Sequence, residues 1–558
     1  MKASRAHYKS QLLPPPGDPA RNWAVGLLCA WPVFYGLLAL WLGADASWDL
    51  RNYHWYNAWA YLTGRDDFLP SQSQFFLNPW LDVPFYLLAT HLPLKLVYFL
   101  LGFVQGLNFP LLFMLCWLVL IIPDTRRKTA ACAALSALGV LSAMGISEIG
   151  AVFYDNVTSL GILSTAVLLL WRLPALEKEP LPRALAFCAA AALPAGLCVG
   201  LKMTCGTFCV AECFALLVIL RINRRAFLLA FAFGCGALLG WLLTYGHWAW
   251  HLYSLYDSPT FPFFNKIFRA PLVPPVAVGD YFVSGGMAKL LHPFMIVVDP
   301  YLTNEIIWKD WRVPVLYILL IGAAATPLLR GMKPEGGPLA QGKPGLFLMW
   351  MAAASYFTWI SFEAVYRYLL PLDMLAPLII TVCAGYLPGT LRTRWQTAAS
   401  ALIVVAFTIR PGDWGRHEAW PERMASLSGA ALAAKPDTLV LMAGFDAYAY
   451  LLPEFPPQLR FLRIESRAFH TDSGMGIIDL IRTQIGAHKG PLKLFMPARD
   501  LKTGEAALSA YNLALVPNSC RTLNDDLYEK HLDRPDEMNN AYPPAYSLCD
   551  VKRMPNKR

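Results

Sequence analysis

Long, nearly uninterrupted apolar runs recur up to about residue 410, and they restrict this chain more than any motif in it. A helix needs roughly 20 mostly apolar residues to cross a hydrocarbon core of about 30 Å. Such stretches lie near 22–44, 94–122, 130–147, 157–171, 184–201, 203–220, 226–246, 311–330, 345–362, 368–388 and 396–409, which makes about eleven spans. Residues 79–92 read either as a short span or as an interfacial helix. Composition agrees: 56% of the 558 residues are hydrophobic and 15% are charged, against about 25% charged in soluble domains. Mean hydropathy is +0.40. The expected class is an all-α polytopic membrane protein over residues 1–410. A cleavable signal peptide is not expected, because the apolar run after Lys2, Arg5, Lys9 and Arg21 is too long and lacks a small-residue cleavage site.

Basic residues of short loops stay on the cytoplasmic side. Arg126, Arg127 and Lys128 form one such group, Arg172, Lys178 and Arg183 a second, and Arg221, Arg224 and Arg225 a third. Arg330, Lys333 and Lys343, then Arg392 and Arg394, complete the series on alternate turns. These groups predict a cytoplasmic N-terminus. The connections 45–93, 148–156, 247–310 and 363–367, and everything after 410, are then directed outward. The net charge of +9 is largely this inner-face bias, so nucleic acid is not an expected partner and membrane lipid is.

After residue 410 the texture changes. "RPGDWGRHEAWPERM" scatters Pro and charge, and later apolar runs shrink to five or six residues. Segments 438–444, 460–466 and 492–498 predict short buried strands, with helices over 473–487 and 499–510. Their alternation predicts a small soluble α/β domain over 411–558. Its two cysteines, Cys520 and Cys549, are expected to pair if that domain faces an oxidising compartment.

The outward segment "SWDLRNYHWYNAWAYLTGR", 47–65, follows directly on the first span. An acid at that level, Asp49, is placed to act as a general base on a substrate presented from the bilayer. If 49–61 is helical, Asp49, Tyr53 and Tyr56 share a face, with Asn52 at its edge and His54 to the side. The competing reading makes Asp49 a helix N-cap, a role that Asp45 or Ser47 fills equally well.

An acid just past the first span, an aromatic outward loop closing on "YLTGR", and about a dozen spans followed by a soluble domain resemble the GT-C glycosyltransferases. The nearest likeness is to bacterial enzymes that use polyprenyl-phosphate sugars, and it covers roughly residues 20–410. The resemblance implies that the first-loop acid is catalytic, which maps to Asp49, with Asp45 as the fallback. It also implies residence in the bacterial inner (plasma) membrane. It assigns neither the sugar nor the C-terminal domain.

A second outward turn, "SEIGAVFYDN", carries Glu148, Asp155 and Asn156. Ionisable groups at membrane depth are rare and usually functional. Their oxygens suit an acceptor hydroxyl, a cation from Lys or Arg, or a divalent ion such as Mg or Mn; the alternative is a polar turn with Asp155 as its cap. Departure of a sugar from a lipid phosphate leaves negative charge that needs cations. Lys202 in "GLKMT" and Arg367 in "EAVYRYLLPLD" stand at outward span ends, where the alternatives are snorkelling for Lys202 and pairing with Glu363 or Asp373 for Arg367. The segment 247–271 is too aromatic and proline-rich for a span and is expected to lie along the membrane face, with Lys266 and Arg269 facing phosphate. Cys205, Cys209 and Cys213 read as packing, and the role of Glu212 is not legible.

The expected catalytic set is thus Asp49, Asp155 and His54. The expected substrate-binding set is Asp45, Asn52, Tyr53, Glu148, Asn156, Lys202, Lys266, Arg269 and Arg367. In this reading an acceptor hydroxyl of a glycan, lipid or protein loses its proton to Asp49 and attacks the anomeric carbon opposite the phosphate, with inversion. One base suffices, because phosphate leaves without an acid, unlike the leaving group in a glycosidase. Two other readings fit a multi-span chain. A transporter or lipid flippase tends to carry repeated halves and midplane charges, and this sequence shows no repeat. A polysaccharide polymerase or ligase would rely chiefly on outward arginines and a histidine.

Overall fold

An apolar run crosses a bilayer only as far as its helix continues, at 1.5 Å per residue. In a computed structural model, residues 11–275, 283–328, 334–362, 364–417, 419–429, 435–466, 469–471, 473–527 and 545–555 are described. Among them seven helices are long and apolar enough to span: Pro19–Leu42, Leu94–Val119, Asp155–Leu176, Leu181–Leu201, Arg224–Tyr256, Gly342–Phe362 and Tyr366–Tyr386. This corrects the expected eleven. The run 130–147 is divided between the helices Thr125–Val140 and Ala143–Ser147. Those at 203–220 and 311–330 hold α-helices of only 14 residues, Gly206–Ile219 and Arg312–Ala325, about 21 Å each. The last, Leu391–Thr408, carries Arg392 and Arg394 in its first turn. Of the doubtful segment 79–92, only Val83–His91 is α-helical, too short to cross.

The spanning helices pack through small residues. Leu181–Leu201 and Arg224–Tyr256 approach so closely that a Cβ on Gly196 or Gly236 would collide with the facing backbone, the packing that Gly permits where lipid supplies no hydrophobic drive. Helix Arg224–Tyr256 runs on for 33 residues, about 50 Å. Residues 247–256 therefore prolong a span, and the expectation that all of 247–271 lies flat is corrected for that half.

The basic turns share one end of the bundle. Ile121 N–H donates to Leu339 O at 2.8 Å and Gln341 N–H to Val119 O at 2.7 Å. Arg225 donates to Leu176 O and Glu179 O, and Lys343 pairs with Glu177. Arg330 and Lys333 of this series lie outside the described residues. At the opposite end, Arg416 holds Gly43 O, Ser147 O and Ile149 O, and Asn78 donates to Gly200 O and Thr244 O.

The C-terminal part is built on one mixed sheet with strands β1 (Leu427–Ser428), β2 (Leu439–Met442), β3 (Arg460–Arg463), β4 (Leu492–Pro497), β5 (Leu513–Leu515), β6 (Arg521–Asp525) and β7 (Ala545–Arg553). Their order is β1-β6-β7-β4-β2-β3, with β5 also on β7; β2 runs parallel to β3 and β4, and the other pairs are antiparallel. Helix Gly476–Ala487 covers the sheet with Ile477, Ile478, Ile481 and Ile485, each worth about 1.5–3 kcal/mol of burial. The domain is not independent of the first loop. Phe68 N–H donates to Phe461 O and Arg463 N–H to Phe68 O, so residues around 68 extend the sheet beyond β3. The buried guanidinium of Arg463 fastens the join by donating to Pro70 O and Gly444 O.

Cys520 and Cys549 are bonded, as the register of β6 on β7 dictates: Arg521 faces Leu548, so the preceding cysteine meets Cys549. Protein denatured without reductant is expected to leave these two thiols inaccessible to maleimide, and reductant to expose both. Equal labelling in the two conditions would show that the bond is absent.

Candidate functional site

The first helix stops at Gly43, whose φ of 92° a side chain would resist, and the chain turns across the end of the bundle. Ser47 Oγ accepts the Leu50 N–H, so serine supplies the cap and Asp49 makes none. Residues Leu50–His54 form one wide turn in which Trp55 N–H reaches Leu50 O, an i→i+5 bulge of a kind frequent at functional sites. That turn brings Tyr53 over Asp49. The Tyr53 hydroxyl donates to Asp49 Oδ2 at 3.0 Å, and Arg367 Nη1 donates to the same oxygen at 2.7 Å. Burial would push the Asp49 carboxyl up, but Arg367 and His54 nearby and the hydrogen bonds from Arg367 and Tyr53 hold it below the usual carboxylate range. Tyr56 leaves this face and donates to Asp67 Oδ2 at 2.8 Å, which corrects the expected three-residue stripe.

The cations converge on the same place. Arg367 pairs with Asp49 and not with Asp373, which accepts from the Tyr366 hydroxyl; Glu363 lies outside the described residues. The Arg367 guanidinium lies 4.7 Å from the Phe153 ring centre, 5.4 Å from Tyr368 and 5.6 Å from Trp414. Lys202 sits where helix Leu181–Leu201 breaks into a tight turn. Its ammonium donates to Asp155 Oδ1 at 2.6 Å and Phe153 O at 2.8 Å, and lies 5.1 Å from the Tyr368 ring. Neither alternative, snorkelling for Lys202 or capping for Asp155, describes these contacts. Phe153 and Tyr368 thus bridge two cations, each matched with one aspartate.

The turn that carries Phe153 is strained: Tyr154 has φ 64°, a conformation non-glycine residues adopt at a cost. It also buries Glu148 with both oxygens unpartnered. Burial and the charge of Asp155 push the Glu148 carboxyl well above its ordinary range. Asn156 donates to Gly145 O at 3.2 Å and keeps its own oxygen unpartnered.

His54 Nδ1 lies 2.6 Å from Asp82 Oδ1, its ring packs 4.0 Å from Tyr53, and its Nε2 is buried without a partner. Burial raises the Asp82 carboxyl, against the opposing pull of His54 and Lys202. Asp82 went unnoticed in the sequence, although an acid inside an apolar segment is itself a signal. Phe153, Tyr368 and Trp414 carry no such signal, because aromatic residues are common throughout this chain.

Other expected residues lie elsewhere or serve the scaffold. Asp45 is buried and accepts from Ser47 N–H and Val152 N–H, so both oxygens are occupied by backbone and the fallback base has no room to act. Asn52 is held in an amide network with Ser71, Gln72 and Gln74. Lys266 and Arg269 line a cavity that shares no wall residue with the Asp49 cluster. Among the described residues no group of three or more His, Cys, Asp or Glu is arranged to hold a metal ion. Asp49 and Asp155 each pair with a cation of the protein, Arg367 and Lys202. No protein-family model matches the chain, and no curated protein matches it significantly.

Proposed function

We propose that this chain is a GT-C-like integral-membrane glycosyltransferase that moves a sugar from polyprenyl phosphate to an acceptor hydroxyl with inversion. The observation that carries this reading is the Asp49–Arg367 pair lying beside Lys202–Asp155, with the two cations bridged by Phe153 and Tyr368. Arg367 and Lys202 take the donor phosphate. As the guanidinium turns toward phosphate oxygens, it withdraws from Asp49 and the carboxylate becomes a stronger base. Asp49 then accepts the acceptor's hydroxyl proton, the oxygen bonds to the anomeric carbon, and the bond to phosphate breaks with its electron pair going to phosphate. Tyr53 orients Asp49, Asp155 holds Lys202, and the His54–Asp82 pair supports Tyr53 from behind. The donor-facing end is the outer face of a bacterial plasma membrane, with the basic turns in the cytoplasm.

Purified full-length protein given radiolabelled sugar on polyprenyl phosphate is expected to transfer it to an acceptor, and to leave nucleotide sugars untouched. Transfer from the nucleotide donor alone would overturn the lipid-phosphate reading, and transfer from neither would overturn the enzyme class.

A further inference from the structure

The cavity around Lys266 and Arg269 has a volume of about 600 Å³, within the range of ligand sites, and among the described residues none that lines it is acidic. One wall is the short turn Asn265–Phe268, the other is Ser473–Gly476 of the C-terminal domain. The first wall is closed by its own hydrogen bonds. Asn265, 2% exposed, accepts the Ala270 N–H at 2.6 Å and donates to Val273 O at 2.7 Å. The two walls are tied by Ile477 N–H to Leu272 O at 3.0 Å, and a Cβ on Gly476 would press on Pro271 O. Among the described residues neither Lys266 nor Arg269 has an ion-pair partner, although nearly every cation of the Asp49 cluster does. Two cations without an ion-pair partner among the described residues therefore border one cavity, whose described wall carries no opposing charge.

The same turn exposes Phe264, Ile267 and Phe268, by 51%, 71% and 39%. Large apolar side chains beside cations are the arrangement that an amphiphile meets, its chain against the apolar groups and its head against the charges. We infer that this cavity is a second, separate phosphate-binding site, in which the Arg269 fork and the Lys266 ammonium hold a phosphate ester whose apolar chain lies over Phe264, Ile267 and Phe268. The inference stands apart from the glycosyl-transfer reading, since it uses none of the residues assigned to that reaction.

Binding of dihexanoyl-phosphatidate, inorganic phosphate and dihexanoylglycerol to the detergent-solubilised full chain tests it. Phosphatidate is expected to bind, and the double variant Lys266→Gln/Arg269→Gln to weaken it about tenfold or more while melting as the wild type does, because both side chains are exposed. Arg482→Gln, which removes an exposed cation that lies on the helix following the cavity's second wall and is already paired with Asp479, is expected to change nothing. Phosphatidate binding more tightly than inorganic phosphate assigns a lipid head as the source, whereas equal affinity assigns free phosphate and overturns the role of Phe264, Ile267 and Phe268. Undiminished binding in the double variant, or equal binding of dihexanoylglycerol, overturns the site.

Discussion

Asp49→Asn is expected to accumulate in the membrane like the wild type and to lose about 10²- to 10⁴-fold in sugar transfer, the usual worth of a general base. Two observations keep the scaffold out of this result. Ser47, not Asp49, caps the turn, so no cap is lost. The amide of the variant also retains an oxygen that accepts from Tyr53 or Arg367, and the guanidinium keeps its aromatic surroundings. What disappears is the capacity to take a proton. Because Arg367 holds the Asp49 carboxyl low in the free enzyme, the wild-type kcat/KM is expected to fall only at strongly acid pH, as the carboxylate protonates, and to be flat toward neutrality. Asp45→Asn provides the contrast: it strips charge from a buried acceptor of two backbone N–H groups and is expected to cost stability first. Wild-type turnover by Asp49→Asn would remove Asp49 from the chemistry.

Arg367→Ala is expected to do more, and on two readouts. Loss of a preorganised donor aimed at departing charge costs about 10²- to 10³-fold in rate. It also leaves Asp49 nearly buried without its partner, which costs on the order of 3 kcal/mol of stability. The diagnostic readout is the pH profile. With Arg367 gone, burial, the largest influence on Asp49, is no longer offset by that charge and hydrogen bond, so the acid limb of kcat/KM is expected to move to higher pH. Arg367→Lys restores charge but neither the two-pronged fork nor the flat stacking against Phe153, Tyr368 and Trp414, so it is expected to recover the limb better than the rate. An unmoved acid limb in Arg367→Ala would separate the two residues functionally.

Several elements of this site are legible along the chain. A charge stranded in an apolar segment announces itself, which is why Lys202 and Arg367 stand out, and the four-residue spacing of Asp49 and Tyr53 on one helical face is realised as a hydrogen bond. The strands around 440, 461 and 494 and the helix after 475 are equally readable, because short apolar runs and periodic isoleucines report burial locally. Hydropathy alone overcounts the spans. It registers apolar residues without registering where a helix ends, and Leu141–Ser142 and the turn Met203–Cys205 are breaks within apolar sequence.

The sequence by itself therefore determined a helical membrane body, a small α/β domain, the end of the bundle where charge collects and most of the side chains that collect there. Only the tertiary structure decided the partners: Arg367 with Asp49 across 318 residues, Lys202 with Asp155, His54 with Asp82, and the first loop with the edge of the sheet. It also moved Lys266 and Arg269 to a cavity of their own. The reason is that charge interactions fall off with distance through space and with local polarity. Both are set by how close the small residues let the helices pack, which no reading along the chain supplies.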